Sequence, residues 1–426
     1  MTTIESVTAR EILDSRANPT VEAEVRLSDG SRGAAAVPSG ASTGKYEAVE
    51  LRDTESLRYH KKGVLGAVRN IEEIIAPAIC KKRAYEGNKI DEIMCSLDPM
   101  ANKSTLGANA ILAVSLALRR AAAQSMGLPL YRYLSDGKAK KMPVPLLNIL
   151  NGGAHAANNL DIQEFMIAPI GAESFAEAVR ISAEVYHTLR RILLSRSLSV
   201  GVGDEGGFAP NLESDEAAIE VILEAIEESG YEAGKTVSIA LDVASSEWWC
   251  DGGYFLPKRQ VKMTSDELML YISSLVEKYP IISVEDGMGE EDTYGWKRLS
   301  ERLSEKIMLV GDDLFVTDAE RVKRGAEEKI ANAVLIKPNQ IGTVRETALA
   351  ISTAKSYGYS AIMSHRSGET EDTSIADLAV AYQTPYIKMG APARSERTAK
   401  YNRLMKIEEE LWLNKLSNPL AKANYL

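Results

Sequence analysis

The chain has 426 residues, 45% of them apolar and 26% charged, and 60 acidic side chains against 50 basic ones leave a net charge of −10. That length exceeds one ordinary compact core, and the acidic balance argues against nucleic acid or an anionic membrane as a partner, since both need a basic face. Three scattered cysteines (Cys80, Cys95 and Cys250) are too few for a disulfide framework or a zinc site, and the N-terminus MTTIESVTAR has no apolar signal core, so a reducing cytoplasm is the expected compartment.

The first part of the chain reads as α+β. Residues 20–27, TVEAEVRL, alternate apolar and polar as a half-buried strand does. The turn Asp29-Gly30 and the run RGAAAVP after it predict a hairpin. PSGASTGKYE (38–47) looks like a phosphate-binding loop but fails its spacing. Gly40 and Gly44 enclose three residues rather than four, and Tyr46 follows the lysine where Ser or Thr belongs. It reads better as a small polar lid able to fold over a site. Helical patterns follow over 63–79 and 105–125. The most apolar of these, Ala108 to Leu118, meets Arg119 and Arg120 well short of the roughly 20 residues a membrane span needs. The polar segment SDGKAKKMP (135–143) marks a boundary, which gives an N-terminal domain over 1–137 and a second domain over 138–426.

Beyond the boundary the rhythm changes. VSIALD, IISVED, IMLVGDD, AVLIKPNQ, SAIMSHRS and YIKMG are short apolar runs, each leading to a polar turn. Near their ends stand Asp242, Glu285, Asp312, Lys337, His365 and Lys388, with gaps of 43, 27, 25, 28 and 23 residues. About 25 residues suits one strand, one helix and two loops, and repeated βα units imply a parallel sheet. The fold class is therefore α/β: an N-terminal α+β domain followed by a (β/α)8-type, TIM-like barrel. In such a barrel the C-terminal strand ends meet at one face, where active sites are built.

Three carboxylates at one mouth, Asp242, Glu285 and Asp312, repel one another unless a cation neutralises them. Oxygen-only ligands favour a hard divalent ion, Mg²⁺ or Mn²⁺. Asp313 would point elsewhere on an alternating strand and reads as structural. Lys337 and Lys388, beside a metal and each other, should have lowered pKa values, and a neutral amine can act as a general base. Arg366 and Ser367 beside Gly368 suit a phosphate or carboxylate on the substrate. His155 lies in the loop NGGAHAANN, and Gln163 and Glu164 are polar residues inside a strand, costly unless they face a site. His60 and His187 sit in polar helical contexts and are given no role. GVGDEGGFAPN (201–211) sets two acids, Asp204 and Glu205, between glycines, which puts an acid on a glycine loop. A divalent cation, a lysine base, an opposed acid and an anion clamp together fit proton abstraction beside a carboxylate, followed by loss of a hydroxyl.

These residues resemble a known family. DSRANPTVEAEV, PSGASTGKYEAVELRD, NGGAHAANNLDIQEFM, GDEGGFAPNL, SVEDGM, LVGDDLFVT, LIKPNQIGT, SHRSGETEDT and KMGAPARSERTAKYNRL are similar to the motifs of enolase (phosphopyruvate hydratase), in order and over essentially the whole chain. The resemblance implies reversible dehydration of 2-phosphoglycerate to phosphoenolpyruvate in glycolysis and gluconeogenesis, on a barrel whose second strand is antiparallel. It implies Lys337 as the base at C2, and Glu205 as the acid at the C3 hydroxyl with Glu164 assisting. Asp242, Glu285 and Asp312 become the first Mg²⁺ site, and Ser39 the ligand of a second Mg²⁺ that arrives with substrate. Lys388 contacts the substrate carboxylate, Arg366 and Ser367 clamp its phosphate, and His155, Gln163 and His365 line the pocket. The partners implied are a small phosphorylated hydroxy acid and further copies of the chain, as a homodimer or octamer.

Three positions depart from the family pattern. Ala17 stands where glycine is usual, which costs about 1 kcal/mol if the backbone there needs a positive φ. Pro338 follows the base lysine and removes a backbone donor. Met389 stands where threonine is common. Two other readings compete: another barrel enzyme that abstracts a proton beside a carboxylate, such as an acid-sugar dehydratase or racemase, and a binding or surface-attachment protein. SHRSGETED and GDEGG argue against the first, and intact catalytic positions argue against a chain that has lost catalysis.

Overall fold

The computed structural model describes residues 2–40 and 44–413. Its first sheet is an antiparallel meander of β1 (Ile4–Leu13), β2 (Pro19–Leu27) and β3 (Arg32–Ala36). The hairpin predicted around Asp29-Gly30 joins β2 and β3; β1, rich in charge, was not anticipated from the sequence. Residues 65–79 are helical as expected, with a six-residue π-turn over Asn70–Ile75. Pro77 lies just after that turn and cannot donate a helical hydrogen bond. The helix Ala108–Ser125 is buried on nearly every face, which explains its unbroken run of Ala and Leu.

The second half is a closed eight-stranded barrel. Its strands are β4 (Val144–Asn151), β5 (Glu164–Ala168) and β6 (Ser238–Asp242), then, after a small sheet of β7 (Trp249–Cys250), β8 (Gly253–Leu256) and β9 (Val261–Met263), come β10 (Ile281–Glu285), β11 (Met308–Gly311), β12 (Ala333–Ile336), β13 (Ser360–Ser364) and β14 (Tyr386–Lys388). The six apolar runs read from sequence are six of these strands. The inserted sheet accounts for the 43-residue gap between Asp242 and Glu285. β5 runs antiparallel to both neighbours, as the resemblance implied; the other barrel pairs are parallel.

Alternate residues such as Leu146, Met166, Ala240, Val310, Leu335 and Ile362 form an apolar cluster separate from the main core. They plug the barrel and leave its C-terminal mouth to polar groups. The N-terminal elements sit against that mouth side. Ser39 forms a two-way backbone bridge with Gly368, Lys103 pairs with Glu346 at 2.9 Å, and Arg120 pairs with Asp372 at 3.1 Å. No helix among the described residues is long and apolar enough to cross a membrane.

Candidate active site

Strand register delivers the site. Asp242, at the end of β6, lies opposite Glu285 on β10 and opposite Glu164 on β5. Because β5 is reversed, Glu164 is its first residue, yet it reaches the same mouth. Lys388 ends β14, His365, Arg366 and Ser367 follow β13, and Lys337 follows β12 as the residue before a short helix, Pro338–Ile341. Pro338 takes the first position of that helix, where no backbone donor is used, so its missing N–H is harmless. Glu205 comes from a loop, not a strand. Its backbone turn carries Gly206 at φ +89°, and a Cβ on Gly207 would sit 2.4 Å from Asn151 Oδ1. Both positions therefore need glycine.

Of the residues picked from sequence, all line one cavity except Glu285 and Ser39. Glu285 stands directly behind Lys388. The Lys388 ammonium lies 3.0 Å from Asp242 Oδ2, 3.0 Å from both Glu285 oxygens and 3.1 Å from Glu164 Oε2. Lys337 bonds Asp312 through Nζ, and Gln340 Nε2 donates to the other Asp312 oxygen at 2.9 Å. His155 Nδ1 stands between two acids, 3.5 Å from Glu164 Oε1 and 3.9 Å from Glu205 Oε1. Asn148 Nδ2 donates to Glu205 Oε2 at 3.0 Å, and His365 Nε2 approaches the same oxygen at 3.3 Å.

The carboxylates are strongly differentiated. Burial and the adjacent Glu205 push Glu164 well above the usual range. Burial also acts on Glu205, but His365 and His155 outweigh it and hold its carboxyl well below. Burial and Asp242 push Glu285 up. The two lysines answer to the acids around them. Burial favours their neutral forms, but Asp312 outweighs it at Lys337, and Asp242, Glu164 and Glu285 outweigh it at Lys388, so both are raised rather than lowered. The lowered values expected from sequence belong to the metal-bound site, in which a cation shares these acids.

A divalent cation fits this donor set. The acids are hard oxygen ligands, crowded, buried and pushed up by one another, and an ammonium already occupies the space between Asp242 and Glu285. The side chains whose ligand atoms lie within 4.8 Å of one another are, however, Asp286–Asp312–Asp313 and His155–Glu164–Glu205. Of the predicted triad, Asp242 and Glu285 share Lys388, and Asp312 bonds Lys337. Asp286 is a brace, since its two oxygens accept the backbone N–H groups of Asp312 and Asp313. Asp313 lines the cavity rather than pointing away, and burial beside Asp312 pushes it up to about 8.

Two residues have other partners. Ser39 donates to Asp14 at 2.6 Å and accepts from Arg16 at 3.2 Å, and it does not line the cavity. Part of the lid loop, 41–43, lies outside the described residues. The part that follows is docked on the barrel. Glu47 takes the Arg366 guanidinium with contacts of 2.8 and 3.2 Å, and Tyr46 donates to Glu291 at 2.7 Å. Ser367 Oγ accepts from Arg16 at 3.4 Å.

Glu47, Asn148, Asp286 and Arg397 all touch predicted site residues and were missed. Asp286 directly follows the candidate Glu285, and Asn148 is a buried polar residue inside an apolar run; a polar residue in such a place is the signal that could have found them. Glu47 and Arg397 lie within motifs that carry the family resemblance, but nothing in their spacing shows what they touch. Comparison with family models gives two matches: residues 4–134 to the enolase, N-terminal domain, and residues 139–417 to the enolase, C-terminal TIM barrel domain.

Proposed function

The chain belongs to the enolase family, whose members are lyases that use a divalent metal, and we propose that it dehydrates 2-phosphoglycerate reversibly to phosphoenolpyruvate with Mg²⁺. The observation that carries this reading is the cavity itself. It gathers two lysines, a differentiated pair of glutamates and an arginine–serine anion clamp at one barrel mouth. Lys337, in its neutral form, takes the C2 proton. Glu205 and Glu164 serve the C3 hydroxyl. Of that pair, burial and its acidic neighbour push Glu164 up, and the facing imidazoles hold Glu205 down. In dehydration the proton must reach Glu205, and His155 Nδ1, between the two carboxylates, is placed to pass it.

Lys388 meets the substrate carboxylate, Gln163 and His365 line the pocket, and Arg366 with Ser367 holds the phosphate once Glu47 has withdrawn. A divalent ion held by Asp242, Glu285 and Asp312 would neutralise the acids that now keep both lysines charged and would stabilise negative charge on the substrate. Ser39, in the lid loop, would serve a second ion that arrives with substrate. The division of the chain at 137/138, a cytoplasmic location and a homodimer or octamer remain part of the proposal.

Product should appear by ultraviolet absorbance only when Mg²⁺ is present, and its absence with excess Mg²⁺ and substrate would falsify the reading. Lys337→Ala should abolish exchange of the C2 proton with solvent. Glu205→Gln should keep exchange but lose dehydration by about 100-fold or more. Equal loss of exchange in both variants would overturn the division of labour.

A further inference from the structure

We propose that Arg397 is a positioning residue that fixes the His365 imidazole in its Nε2–H form and aims that one N–H at the Glu205 carboxylate. The inference rests on the reading of Glu205 as a proton-transfer group. Arg397 opens the last helix, Ser395–Leu413, and is completely buried. Its Nη1 lies 2.6 Å from His365 Nδ1 and 2.7 Å from the Arg366 carbonyl. Its Nη2 reaches the Ser367 carbonyl at 2.6 Å and the Asp204 carbonyl at 3.1 Å. Its Nε faces Glu396 at 3.5 Å.

A guanidinium has donors only and stays charged. At 2.6 Å, Nδ1 of His365 must therefore accept, and it cannot carry a proton. Burial keeps the ring neutral as well, with the imidazole pulled down to about 4. The single ring proton is left on Nε2. That nitrogen lies 3.3 Å from Glu205 Oε2, off the line of a hydrogen bond, and no other group among the described residues satisfies it. The opposite tautomer would set N–H against N–H at Arg397 and a nitrogen lone pair against the carboxylate. The Asp204 contact adds a second constraint. One guanidinium holds the carbonyl next to Glu205 and the imidazole facing Glu205, so it fixes both sides of the contact.

The test is ¹⁵N NMR of protein labelled at histidine, without substrate. The chain has four histidines, and His365→Asn identifies the signals of interest by difference. Wild type should show an unprotonated Nδ1 and a protonated Nε2 for His365 at neutral pH. Arg397→Lys, which keeps one cationic donor, should retain that pattern. Arg397→Met, which has none, should move ring proton toward Nδ1 and should lose elimination at least tenfold more than C2-proton exchange. A wild-type His365 protonated on Nδ1 overturns the proposal whether or not any variant folds. So does an unchanged His365 spectrum in a folded Arg397→Met. If the protein fails to act on 2-phosphoglycerate while the tautomer pattern holds, the proposed reaction falls and the positioning role of Arg397 stands.

Discussion

Ala17 shows how one side chain can carry a measurable strain. It has φ +60°, in the turn between β1 and β2, and Asp14 Oδ1 clamps that turn by accepting the backbone N–H groups of Arg16 and Asn18 at 2.8 Å each. The sequence departure anticipated a cost if φ was positive, and it is. A left-handed alanine costs about 1–2 kcal/mol, and glycine would return roughly 0.5–1 of that as chain entropy in the unfolded state. Ala17→Gly should therefore raise the unfolding free energy by roughly 0.5–1 kcal/mol, seen as a higher urea midpoint with an unchanged slope. A lower midpoint would mean that the turn is not strained.

Among the elements, the docked end of the lid loop most changes the picture of the site. Arg366 was read as a phosphate clamp, and in this structure the Glu47 carboxylate fills it. An anionic substrate group must compete with that internal carboxylate. Glu47→Gln should tighten binding of inorganic phosphate roughly tenfold, about 1.4 kcal/mol, measured as competitive inhibition. An unchanged inhibition constant would show that Glu47 and phosphate do not share the clamp. The contact joins residues 319 positions apart, so no local pattern could reveal it. Six of the barrel strands were legible because each buries a short apolar run and has one conspicuous charged or ionisable group at or near its end. β1 was not legible, because its exposed face is charged and masks the alternation. The surroundings of Ser39 were not legible for a related reason: a hydroxyl in a small polar loop fits a lid as well as a hinge, and its bond to Asp14 joins residues 25 positions apart.

Across the whole molecule, the N-terminal elements and the barrel share buried polar contacts rather than a loose seam. Asp91 pairs with the fully buried Arg119 at 2.6 Å and also accepts the Arg345 backbone N–H at 3.1 Å. Asp91→Ala would strand a buried guanidinium, at a cost of about 3–5 kcal/mol. Because the carboxylate serves both halves, calorimetry should show one unfolding peak moving down as a whole; two separated peaks would show that the halves are energetically independent. The reversed strand β5 has a consequence of parity. Each strand or helix carries the chain from one end of the barrel to the other. β4 rises to the mouth, and β5 brings the chain down again. To enter β6 from below, the chain must make an even number of further crossings. It makes two, in the helices Phe175–Ser195 and Asp215–Glu228. The point between them is an extra visit to the mouth that belongs to no strand, and it is there that the chain places Glu205.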